Sequence, residues 1–327
     1  MSQAVRFGVL GCGRIVQRGF LPAIAATPAA SLQAIASRRP GVARQWADEH
    51  NVPRACDSYE ELIADPDVDA IYVPATGDEH ARWTIAAAKA GKHVLCEKPL
   101  ARTVAEAEQM IAACHDAGVI LQEAFMWRQH PRAKKTRELL QEGAIGSLRL
   151  IVASFSFDLP GTDWRLQPEK GGGAMWDLGC YGIDASRFFA EDEPTEVHAR
   201  ARWWKTGVDM TMQIALAFPG DILANIDCSF EAPFRCHAEL VGDAGRIVLP
   251  DAFQPGDESV ILLQRSTQRG APLEEVPVPP ANQYACQVAA FCDSIAAGRR
   301  LEPAEDGLAN MRVLERVLAD AHRNRDR

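Results

Sequence analysis

The chain has 327 residues, of which 47% are hydrophobic and 24% charged. Those are ordinary globular proportions and exclude a disordered chain, a collagen-like fibre and a disulfide-stapled miniprotein. The net charge of −9 disfavours non-specific binding to nucleic acid or to an anionic membrane surface, both of which need basic patches.

No apolar run approaches the ~20 residues that cross a bilayer. Met1 to Phe7 lack a basic region followed by a long apolar core, so no signal peptide is expected. The nine cysteines are odd in number, and no pair has Cys-x-x-Cys spacing. Reduced thiols in a cytoplasmic protein fit this best. The same spacing, with no His-Glu-x-x-His, argues against a metal site.

In chain order, Val5 to Leu10 reads as a buried strand, followed by a glycine turn and a helix over 14–26. Strands are expected over 31–36, 55–56, 70–73, 93–96 and 119–122, and helices over 40–50, 59–64, 79–90 and 104–117. Strands alternating with helices imply right-handed crossovers and a doubly wound parallel sheet. Beyond about residue 125 the rhythm changes. A helix over 131–142 and a strand over 148–157 precede Gly171-Gly172-Gly173, which leads into a helix reaching Phe189. Several strands then follow between Glu196 and Leu263 with turn signals between them, which suggests an antiparallel or mixed sheet. Residues 272–282 read as an extended, proline-rich passage, and helices are expected over 284–297 and 304–324. The boundary suggested by this change divides the chain into domains of residues 1–124 and 125–327.

Four motifs carry chemistry. Gly8-Val9-Leu10-Gly11-Cys12-Gly13-Arg14-Ile15-Val16 follows the first strand. Gly11 can turn the chain tightly, and Gly13 lets backbone amides approach a pyrophosphate where the helix dipole favours anions. The usual third small residue is Val16 here, and a plain tight turn is the simpler reading. At the end of the second strand, where NAD-binding folds place an acid for the ribose diol, stand Ser37-Arg38-Arg39. Two arginines suit a 2′-phosphate and favour NADP; the plainer alternative is a solvated pair at a helix start. The third motif, Glu97-Lys98-Pro99, sits after a strand, where proline stiffens the turn. Lys98 there can hold a substrate hydroxyl or lower a neighbouring acid's pKa, or can be half of a surface ion pair. The fourth, Gly171 to Tyr181, puts Asp177 and Tyr181 four residues apart on one expected helical face. A tyrosine beside a lysine can act as general acid or base; otherwise Asp177 complements the helix dipole and Tyr181 fills the core.

The glycine turn, Glu97-Lys98-Pro99, Glu123-Ala124-Phe125-Met126-Trp127-Arg128 and Gly171 to Tyr181 together resemble the glucose–fructose oxidoreductase / inositol dehydrogenase / rhizopine-catabolism family. Within it, Glu123 to Arg128, Trp164-Arg165 and Asp177-Leu178-Gly179-Cys180-Tyr181 are most similar to dimeric dihydrodiol dehydrogenases and NADP-dependent D-xylose dehydrogenases. The resemblance implies an N-terminal Rossmann domain of α/β class. It also implies a C-terminal α+β domain whose open, mostly antiparallel sheet often mediates dimerisation, here in a homodimer or homotetramer. It implies Lys98 and Tyr181 as catalytic residues and Asp177 as a substrate-positioning one. Cofactor contacts map onto Gly11, Gly13, Arg14, Ile15, Ser37, Arg38, Thr76, His80, Glu97 and Lys98, with Arg165 a further contact. The family's Pro-Asn-x-x-His loop reads Ala75-Thr76-Gly77-Asp78-Glu79-His80 here, and His80 can equally cap the helix.

Trp127, Phe155 and Trp176 are candidate walls for a substrate, with core filling the alternative, most strongly for Phe155 on its strand. The expected activity is hydride transfer between NADP, or NAD, and a sugar or cyclic polyol, as in an aldose 1-dehydrogenase. Dihydrodiol oxidation and sugar-ketone reduction are the enzymatic alternatives, and a non-catalytic NAD(P)-binding regulator the other.

Overall fold

Strand β1 (Val5–Leu10) buries five of its six residues, the continuous apolar run that a strand covered on both faces requires. The computed structural model describes residues 4–299 and 304–325; Met1 to Gln3, the start of the segment read for a leader, lie outside the described residues. Five further strands pair in parallel with β1 or with one another: β2 (Ala30–Ala36), β3 (Arg54–Cys56), β4 (Ala70–Val73), β5 (His93–Cys96) and β6 (Leu121–Glu123). Their order is β3-β2-β1-β4-β5-β6. The chain runs outward from β1, then returns to β4, so the crevice at the carboxyl ends of β1 and β4 is the topological switch point where such sheets bind ligands. The connecting helices are α1 (Leu21–Ala26), α2 (Val42–His50), α3 (Tyr59–Ile63), α4 (Gly77–Lys89) and α5 (Val104–Asp116).

The first helix departs from the expected continuous helix over 14–26. Residues Val16–Phe20 form a π turn before α1. Pro22 explains it: the ring lacks an N–H and clashes with the carbonyl four residues back, and a wider turn relieves both.

After α6 (Met126–Gln129) and α7 (Pro131–Gln141) comes β7 (Leu148–Ser156). Helix α8 (Cys180–Ala190) is preceded by a second π segment, Met175–Gly179, so the helix expected after the glycines is also not uniformly α. Seven more strands follow: β8 (Glu196–Trp203), β9 (Asp209–Phe218), β10 (Ile222–Ser229), β11 (Arg235–Gly242), β12 (Arg246–Pro250), β13 (Val260–Gln264) and β14 (Glu274–Pro277). The eight-stranded sheet has order β14-β13-β12-β11-β7-β10-β9-β8. Only β7 and β10 pair in parallel; every other neighbouring pair is antiparallel. Burial alternates along β9 and β11, with Met210, Met212, Ile214, Cys236, Ala238 and Leu240 turned inward. Strand β14 lies within the proline-rich passage, at the sheet edge where Pro277 removes no needed ladder bond. Helices α9 (Gln283–Ala296) and α10 (Ala304–Arg323) close the chain.

The chain forms two compact units, Met1–Met126 with Asn282–Leu308, and Trp127–Ala281 with Ala309–Arg327. A single boundary near residue 124 does not anticipate the return of α9 to the first unit. That return follows from its apolar face. Val288, Phe291 and Cys292 are buried with Phe7, Val9 and Phe20, and the Phe291 ring lies 5.8 Å from that of Phe7. Among the described residues no helix is long and apolar enough to cross a membrane.

Helix α9 is therefore part of the nucleotide-fold core, and truncating it should act there. Phe291→Ala is expected to destabilise the protein by about 3–5 kcal/mol, read as a lower denaturation midpoint; an unchanged midpoint would exclude a core role for α9.

Candidate active site

In the first unit the candidate residues emerge from the carboxyl ends of β1, β2, β4 and β5. Gly11 follows β1 with φ of +129°, a conformation L side chains rarely adopt, so glycine is required there. A Cβ at Gly13 would meet no atom within 4 Å, so open space lies before the helix start, where the Gln17 N–H donates to the Gly13 carbonyl at 3.2 Å. Arg14 is exposed and Ile15 half-buried. A helix start opened by a glycine with room at its Cβ position fits the approach of a pyrophosphate.

After β2, the buried Ser37 hydroxyl accepts the Arg39 N–H at 3.1 Å. Arg39 reaches back and donates to the Cys12 carbonyl at 2.9 Å, tying the end of β2 to the glycine turn. Arg38 is 60% exposed and pairs with Glu79 Oε2 at 3.1 Å. The two arginines therefore differ: Arg39 braces the turn, and Arg38 faces outward. Burial holds the Cys12 thiol up at about 11, so it is neutral beside this basic pair.

After β4, the Thr76 hydroxyl donates to Asp78 at 2.5 Å. His80 is 1% exposed, and its two ring nitrogens lie 3.0 Å from the Pro99 and Ala75 carbonyls. Burial lowers its pKa. His80 is thus an internal brace between the 75–80 loop and the turn after β5.

After β5, Glu97 and Lys98 are half-buried. Tyr72, 1% exposed on β4, donates its hydroxyl to Glu97 Oε1 at 2.6 Å. Glu97 Oε2 accepts the Lys98 N–H at 3.3 Å. The next stretch is anchored where Leu100 N–H donates to Glu123 Oε1 at 2.7 Å. Glu97 is held from inside the sheet, unlike one half of a simple surface ion pair. The Tyr72 ring stacks on Phe20 of the π turn at 4.0 Å, joining the glycine-turn helix to the same support.

In the second unit, the close backbone approach at Gly171-Gly172-Gly173 is to the protein itself. A Cβ on Gly172 would lie 2.3 Å from the Arg165 carbonyl, and the Gly173 N–H donates to that carbonyl at 2.9 Å. Asp177 accepts from Arg165 Nε at 2.6 Å, and Arg165 Nη1 pairs with Asp163 at 3.2 Å. Burial alone would lower the Arg165 pKa, but the two carboxylates outweigh it and raise it. Arg165 thus pairs with carboxylates of its own unit, and it fixes Asp177. Tyr181 is 4% exposed, its ring 5.4 Å from both Phe155 and Phe253.

The three candidate aromatic walls separate. Trp127 is 2% exposed, donates to Asp184 at 2.9 Å and packs on Phe188, Phe189 and Phe253, so it is a core residue. Phe155 is 3% exposed in the same cluster. Both pack in the aromatic cluster around Tyr181 and Phe253, and Trp176, beside Asp177, is half-buried.

One residue escaped the sequence reading. Asp209, 1% exposed at the start of β9, accepts the Met175 N–H at 2.7 Å and so caps the helical run that carries Asp177 and Tyr181. The signal is a lone acid opening a strand that carries no other charged residue. Among the described residues no group of three or more His, Cys, Asp or Glu side chains is placed to hold a metal ion.

A doubly wound nucleotide fold with an open mixed sheet is the class these observations define. Residues 5–125 match the "Oxidoreductase family, NAD-binding Rossmann fold", and residues 133–248 match the "GFO/IDH/MocA C-terminal domain". The chain belongs to the GFO/IDH/MocA oxidoreductase family, as its motifs suggested. It is 34% identical to D-xylose 1-dehydrogenase (NADP(+)) 2 of Haloferax volcanii, covering 96% of this chain and 97% of that one. It is 35% identical to trans-1,2-dihydrobenzene-1,2-diol dehydrogenase of Xenopus laevis, covering 85% of each. The structure of KijD10, a 3-ketoreductase from Actinomadura kijaniata in complex with NADP and TDP-benzene, matches with a TM-score of 0.91. The identity there is 32%, over 97% of this chain and 98% of that one.

Asp209 also gives a pH signature. Burial raises its pKa from 3.8 to about 6. The folded state then binds more protons than the unfolded one across that window, so stability falls as pH rises from about 4 to 6, by on the order of 3 kcal/mol. Asp209→Asn keeps an acceptor for the Met175 N–H and should flatten that part of the stability–pH curve; an unaltered slope in the variant would assign it to other groups.

Proposed function

We propose that the protein is an NADP-dependent oxidoreductase acting on a hydroxyl-bearing carbon of a sugar or cyclic polyol, in the manner of an aldose 1-dehydrogenase. The observation that carries this reading is the end of β2, where a buried serine and an outward-facing arginine occupy the place of the usual ribose-binding acid. Similarity to an NADP-dependent xylose dehydrogenase over nearly the whole chain supports it. NADP, when bound, supplies the hydride acceptor or donor.

In this reading Gly11, Gly13, Arg14 and Ile15 hold the pyrophosphate. Ser37 and Arg38 take the 2′-phosphate, and Thr76 and Glu97 complete the nucleotide contacts. Lys98 holds the substrate hydroxyl and favours its loss of a proton, and the Tyr181 phenolic oxygen is the proton acceptor or donor. Asp177, fixed by Arg165, orients a second hydroxyl. Trp176 offers a flat apolar surface to the ring. A second reading, reduction of a sugar ketone by the same groups run in reverse, is favoured by the similarity to KijD10. The nine free thiols, eight of them buried, support a cytoplasmic setting.

A panel of sugars, inositol and a cyclic dihydrodiol, assayed with both nicotinamide cofactors, tests the substrate class. Tyr181→Phe and Lys98→Ala should each lower kcat by about 10²- to 10⁴-fold while nucleotide still binds. Full turnover in Tyr181→Phe would remove its proton-transfer role.

The same reading includes a homodimer. The face of the large sheet turned away from α8 carries an apolar row, Val241–Leu150–Leu223–Ala217, on adjacent paired strands. Leu223 is 53% exposed there. Leu223→Glu should shift sedimentation from dimer toward monomer; a wild-type monomer would dismiss the pairing.

A further inference from the structure

Arg38 is not idle in the nucleotide fold. Its Nη1 lies 3.1 Å from Glu79 Oε2, and its guanidinium carbon lies 5.7 Å from the centre of the Tyr59 ring. Glu79 sits in the first turn of α4, where the helix dipole favours a carboxylate. The same Oε2 accepts the buried Trp83 indole N–H at 2.6 Å, and the Glu79 side chain is only 16% exposed. Arg38 follows β2 and Glu79 follows β4, with β1 between those strands. The ion pair therefore reaches across the carboxyl end of β1, over the start of the glycine turn. The Tyr59 hydroxyl lies on that turn, 3.3 Å from where a Cβ on Gly11 would be.

We propose that Glu79 is a specificity-determining residue, a latch on Arg38 that a nucleotide's 2′-phosphate must displace. The inference rests on the assignment of Arg38 to the 2′-phosphate and deepens it. A phosphate dianion repels the Glu79 carboxylate and competes for its guanidinium partner. A ribose diol carries no charge and does neither. Glu79 thus weakens NADP binding selectively and holds the preference between the two cofactors below what Arg38 alone would give. The latch also keeps Arg38 over the groove in the absence of nucleotide.

The test is calorimetric titration of the full-length, nucleotide-free protein with NADP and with NAD, so that no turnover is needed. Glu79→Gln retains an acceptor for the Trp83 N–H and removes only the charge. It should tighten NADP about threefold to fivefold at low salt, the range of a partly exposed ion pair, and less at high salt. NAD should respond less. In the Arg38→Ala background the Glu79→Gln gain should disappear. Equal tightening of both nucleotides, or of neither, overturns the latch while a selective NADP loss in Arg38→Ala leaves the Arg38 assignment standing. Equal losses of both nucleotides in Arg38→Ala overturn the assignment and the latch together.

Discussion

A parallel sheet presents the carboxyl ends of all its strands on one side, and the chemistry of the first unit depends on that constraint. The glycine turn, Ser37-Arg38-Arg39, the loop at 75–80 and Glu97-Lys98-Pro99 are far apart in sequence. They follow β1, β2, β4 and β5, which are neighbours in the sheet order. What turns this shared side into a defined site is a set of internal hydrogen bonds: Arg39 to the Cys12 carbonyl, His80 between two backbone carbonyls, and Tyr72 to Glu97. Each joins the end of one strand to the end of another. The groups that would touch a ligand are thereby held by groups that would not.

The second unit solves the same problem with a single helical run. Asp209 caps its start, Arg165 pins Asp177, and Phe155 and Phe253 enclose the ring of Tyr181. A partly buried ion pair such as Arg165–Asp177 is weak evidence for net stability, but it limits the positions open to both side chains. The pairing of Asp177 with Arg165, which also pairs with Asp163, keeps the carboxylate oriented.

Element types were readable from the sequence wherever an apolar run and flanking turns agreed, as in β1 with its glycine turn, or in the strands between Glu196 and Leu263 with their turn signals. The glycine turn and Glu97-Lys98-Pro99 were readable as motifs because their residue types are tied to chemistry. Three kinds of feature were hidden. The π segments at Val16–Phe20 and Met175–Gly179 depend on one residue of register, below the resolution of a pattern. The settings of Trp127 and His80 depend on partners from other elements, such as Asp184 for the Trp127 indole and the Pro99 carbonyl for His80. The roles of Glu79 and Asp209 arise only when another strand brings a guanidinium or a helix start to them.

The interleaving of the two units along the chain has a consequence for biosynthesis. The strands of the nucleotide fold leave the ribosome first, yet Val288 and Phe291, which complete their core, come more than 150 residues later. During that interval the surface around Phe7 and Phe20 lacks its cover and is a target for chaperones. The unit that begins earliest is therefore finished almost last, and a ribosome stalled before α9 would release a polypeptide with neither half complete.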